Sequence, residues 1–123
     1  MKIRQGFVSN SSSSSFVLLG KAWDSSEEFL KDIGKTILDD DGNEVDDERT
    51  LYRSVELILN DTILTSKEGQ DEERCYVGIS PNNLKEDRTI SQIKEDIAQA
   101  LTQLGATSES TQIDWHSECW MDN

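Results

Sequence analysis

The chain has 123 residues, 25 acidic against 12 basic side chains and a formal net charge of −13. That length supports one domain, 1–123, with a modest core. No run of about 18 apolar residues occurs, which argues against a membrane-spanning helix, and a field of this sign repels phosphate backbones, which argues against direct nucleic-acid binding by the body of the protein.

The charge is unevenly placed. Residues 1–23 hold Lys2, Arg4 and Lys21 and no acid, leaving nine basic and 25 acidic side chains for the remainder. The start lacks the apolar stretch and small-residue cleavage site of a secretory signal, so the expected location is the cytoplasm, of a host cell if the protein is viral. Two cysteines, Cys75 and Cys119, are too few for a disulfide framework and read as small hydrophobes.

Residues 1–15 are expected to form a polar, serine-rich arm or loop. Ser11 to Ser15 is homopolymeric, and serine side chains compete for backbone hydrogen bonds, which disfavours a helix. Such a run is either a solvated connector or a loop whose hydroxyls and amides are used. In the second case consecutive amides and hydroxyls form a concave donor site. Arg4, Asn10, Ser11, Ser12 and Ser13 are then the candidate ligands for an anion or small molecule. The run lacks the glycines and lysine of a nucleotide-hydrolase phosphate loop.

The segment also carries a likeness. Arg4-x-Gly6-Phe7-Val8-Ser9-Asn10, Ser11 to Ser15 and Phe16 together resemble the opening of small uncharacterised proteins of tailed phages and some bacteria. More loosely, Tyr76 to Ser80, the helix after Thr89 and the Trp-rich C-terminal end look like later parts of such proteins. The resemblance implies a viral or prophage origin and brings no activity or catalytic residue with it.

Phe16 to Trp23 reads as a buried strand. Ser25 then caps a helix, with Glu28 at the capping-box position, and Phe29, Leu30, Ile33 and Ile37 fall on one face. Residues 39–48 contain seven acids and no base. Their Asp-Gly-Asn turn favours a tight reversal, with 36–38 and 44–45 as a short hairpin. Gly42 sits as the turn glycine of a calcium loop, with Asp41, Asp39 and Glu48 at ligand positions. The first ligand position falls on Ile37, which breaks the pattern. Asp39, Asp40 and Asp41 are therefore read as a solvated, protein-facing acidic turn, with no metal expected.

Asp47 is positioned to cap a helix over 48–59, with Leu51, Val55, Ile58 and Leu59 on one face. Thr62 to Thr65 reads as a short strand and 67–73 as a loop. Arg74 to Ser80 alternates as a strand, with Cys75, Val77 and Ile79 on one side and Tyr76 and Gly78 on the other. Pro81-Asn82-Asn83 ends it. Thr89 with Gln92 opens the clearest helix, striped by Ile90, Ile93, Ile97, Leu101 and Leu104 and stopped by Gly105. Residues 111–116 alternate as a last strand, placing Trp115 in the core, while Trp120 is a candidate binding anchor near a polar end.

This order implies an α+β fold: one small sheet of about four to five strands with two to three helices packed mainly on one face. The first strand is expected to be central, paired with 74–80 and 111–116. No catalytic constellation emerges. The one histidine, His116, and Cys119 lie three residues apart and point in different directions on a strand. With Cys75 they also lack the paired cysteine spacing of a zinc site. No cofactor is expected. The preferred reading is a small acidic, non-enzymatic accessory protein that binds another protein through its acidic surface and Trp120. The alternative is a small-molecule or anion-binding domain using the serine loop.

Overall fold

A computed structural model describes residues 13–69, 74–106 and 109–121, with the backbone alone at 13–15 and 119–121. The most apolar stretch of the chain forms the longest strand, β1 (Ser13–Trp23). It is central: β3 (Cys75–Ile79) pairs on one side and β4 (Asp114–Met121) on the other. The short β2 (Thr65–Glu68) adds to the far side of β3, giving an antiparallel sheet in the order β2-β3-β1-β4.

Antiparallel partners share a face, so the register sorts the side chains. Leu19 opposes Ile79 and Trp23 opposes Cys75. These residues and Val77 join the main core, which takes in all three helices: α1 (Ser26–Asp32), α2 (Glu48–Leu59) and α3 (Ile90–Leu104). Phe29, Val55, Ile97 and Leu101 are completely buried there. Each such side chain contributes about 1.5–3 kcal/mol by leaving water. The α+β architecture is as the sequence leads one to expect, and no helix among the described residues is long and apolar enough to cross a membrane.

The caps follow the local chemistry. Ser25 accepts from Glu28 N, Asp47 accepts from Thr50 N, and Thr89 with Gln92 forms a reciprocal capping box. Gly105 ends α3 at φ +113°, a left-handed conformation that glycine adopts without steric cost.

Several boundaries differ from the sequence reading, each for a local reason. β1 begins at Ser13, so the last three serines of the run are strand backbone, inside the stretch expected as an arm. β2 begins at Thr65 rather than Thr62. The Thr62 hydroxyl donates to Leu59 O and accepts from Leu64 N, so it stabilises the turn leaving α2. Lys67 and Glu68, expected in a loop, complete β2. The expected hairpin at 36–45 reduces to a single bridge, Leu38 to Glu44. Ile90, at the first position of α3, is 42% exposed, and the buried stripe starts at Ile93.

β4 holds the largest correction. Residues 110–112 form a 3-10 turn and the strand runs from Asp114 to Met121. Ile113, just before it, occupies the core position at that side of the sheet and is 1% exposed. Trp115, expected in the core, is 43% exposed. It sits on an edge strand with β1 as its neighbour in the sheet, opposite Leu19.

Candidate functional site

The acidic segment is an ordered turn between α1 and α2. Its geometry is built by Asp39, whose carboxylate oxygen accepts from Asp41 N at 2.9 Å and Asn43 N at 3.0 Å. Asp39 N donates to Asn43 O, and Gly42 N donates to Asp39 O. Gly42 supplies the positive φ, +84°, that the reversal needs. Asp39 is thus an architectural carboxylate.

Asp40 and Asp41 differ from it. Both are exposed, and among the described residues neither side chain takes part in a hydrogen bond or ion pair. Further along, Asp47 is committed to its cap. The Thr50 hydroxyl, then the Thr50 amide, hold its carboxyl below the ordinary 3.8. Glu48 turns inward and accepts from Ser26 N at 2.6 Å. Three carboxylates of this segment therefore work for the fold, while Asp40 and Asp41 project outward. Among the described residues no group of three or more His, Cys, Asp and Glu is placed to hold a metal ion.

On the sheet face away from the main core lies a second cluster. Leu18 and Tyr76 are buried there. Phe16 meets Tyr76 edge-on with ring centroids 5.0 Å apart, and His116 lies 5.5 Å from the same ring. The Tyr76 hydroxyl donates to Glu118 Oε2. Burial first, and then the Glu118 carboxylate, push the phenol above its ordinary value. Arg74 bonds the same hydroxyl, which raises its own pKa. Nothing in the sequence announces this group, because Tyr76 and Glu118 are 42 positions apart.

Cys75 lies on the opposite face of β3, buried, with Ser26 hydrogen-bonded to it and burial pushing its thiol up to about 12. A thiol so protonated is a poor nucleophile. His116 and the backbone of Cys119 share β4.

Of the remaining sequence-predicted site residues, Arg4, Asn10, Ser11 and Ser12 lie outside the described residues. Ser13 opens β1, and its backbone pairs with Met121; Trp120 pairs with Ser14. The ends of β1 and β4 thus lie side by side. No family model, no curated protein and no solved structure matches the chain.

Proposed function

We infer that this chain is a small acidic, phage-derived, non-enzymatic accessory protein that acts in the cytoplasm by binding another protein. One observation carries the reading: an ordered turn presents Asp40 and Asp41 to solvent, unpaired, within a stretch that has seven acids and no base. Fixed like charges of this kind accelerate encounter with a basic surface and reject acidic ones, and they do so in a salt-dependent way. The exposed indole of Trp115 offers the sort of rigid aromatic contact on which protein interfaces concentrate their binding energy.

The test is capture of a partner from a lysate of the producing cell at low salt, followed by elution with rising salt. A specific protein released within a few hundred millimolar salt is the expected result. Absence of any partner at low salt, or retention that salt does not change, contradicts an electrostatic mode.

A further inference from the structure

An open groove of about 860 Å³ runs along α3, bounded by the turn after α2 and the segment following β3. Its apolar lining includes Ile79, Ile93, Ala100 and Leu104, with Leu84 and Ile63 beside them. Ile63 is 56% exposed although it is a large aliphatic side chain. Such a residue at a groove mouth gains by being covered.

The polar groups of the groove are biased in sign. Asp96 is taken up by Arg88, whose guanidinium grips it through two nitrogens at 2.6 and 3.2 Å. Asp61 and Asp87 also line the groove, and among the described residues neither has a hydrogen bond or ion pair. Asp61 directly follows the C-terminal cap of α2 at Asn60, and Gln103 and Leu104 end α3. Neither helix carries a basic residue in its last turn. Helix C-termini bear partial negative charge that a cation ordinarily offsets. The end of α3 lines this groove, and the turn leaving α2 brings Asp61 to it, so two unpaired carboxylates stand there against Lys85, which among the described lining residues is the one cation outside the Arg88–Asp96 pair.

We propose that this groove binds a peptide segment of a partner protein in which leucine-like side chains alternate with arginine or lysine. The aliphatic side chains cover Ile63, Leu84 and Leu104, and a cationic head reaches Asp61 or Asp87. This rests on the protein-binding reading above and gives it a second, chemically different contact. Charge complementarity selects the occupant: an acidic or purely polar segment gains nothing from these walls.

The probe is an acetylated, amidated octapeptide alternating leucine and arginine, titrated into the isotope-labelled full chain and followed by amide and methyl NMR. Saturable shifts centred on Ile63, Leu84, Asp87 and Leu104 are expected, with a dissociation constant in the micromolar to sub-millimolar range. Asp61→Asn and Ile63→Ser should each weaken binding about threefold or more, while the rest of the spectrum stays in place and so reports an intact fold. No saturable change by millimolar peptide, shifts centred instead on Asp40 and Asp41, or equal binding of a serine-arginine octapeptide would overturn the proposal. If the groove is silent while a partner is still captured in a salt-dependent way by Asp61→Asn, the groove assignment falls alone. If no partner is captured from lysate at all, it is the protein-binding reading that fails.

Discussion

Gly20 and Gly78 face each other across β1 and β3 with no room for a side chain on either. A Cβ on Gly20 would stand 2.7 Å from Gly78 Cα and would strike the Val77 carbonyl; one on Gly78 would stand 2.6 Å from Gly20 Cα. Both obstacles are backbone, which cannot swing aside as a side chain can. The pair lets the central strand approach β3 closely at the point where Leu19 opposes Ile79 over the core.

Replacing Gly20 by alanine must therefore part the strands. The expected loss is about 2–3 kcal/mol or more, the cost of forcing atoms into a packed site. Urea unfolding measures it as a lowered midpoint. Gly34→Ala provides the contrast, because nothing stands within 4 Å of a Cβ there and the strain is confined to its own φ of +74°.

Cys75 is predicted to be inert in the folded protein. In a Cys119→Ser background, a thiol reagent at neutral pH should react at the rate of unfolding, and rapidly once denaturant is added. Its folded-state pKa is raised from 9.0 to about 12. The associated stability is thus fully present below the unfolded value and is lost as pH rises toward 12. Tyr52, raised from 10.0 to about 12 mainly by burial, acts in the same direction. Thermal unfolding followed between pH 9 and 12 should show a steadily falling Tm.

The caps give a pair of predictions that differ in pH dependence. Thr89→Ala removes one side of a capping box and should cost about 1 kcal/mol at every pH. Asp47→Ala removes a cap whose carboxyl is held below 3.8. Its contribution exists above that value and vanishes as pH falls through the depressed folded-state pKa. The difference in Tm between wild type and Asp47→Ala should accordingly shrink in acid, while that for Thr89→Ala persists.

Trp115→Ser should change stability by less than about 1 kcal/mol, as expected for an exposed edge position. Urea unfolding of the variant measures this directly.

Helix starts were legible because they are written in single side chains. Ser25, Asp47 and Thr89 each sit where the following amides need an acceptor, and each accepts one. The alternation of Cys75, Val77 and Ile79 likewise settled which face of β3 meets the helices. Trp115 is exposed rather than in the core because alternation says which side a residue faces but not whether anything covers that side at a sheet edge. Thr62 lies outside β2 although β-branching favours a strand, because its hydroxyl bonds Leu59 O. In the acidic turn, composition alone could not separate Asp39, which holds the backbone, from Asp40 and Asp41, which do not. The groove was invisible for a different reason: its lining comes from three separate stretches that meet only in the folded chain.

The most direct test of protein binding through the acidic surface compares wild type with an Asp40→Asn, Asp41→Asn double variant, each immobilised and offered the captured partner across a salt series. Asp39 is kept, so the turn stays built. Affinity should fall steadily with salt for the wild type, and the variant should bind several-fold more weakly at low salt, the two converging at high salt. Equal affinities at low salt, or binding that salt leaves unchanged, would contradict it.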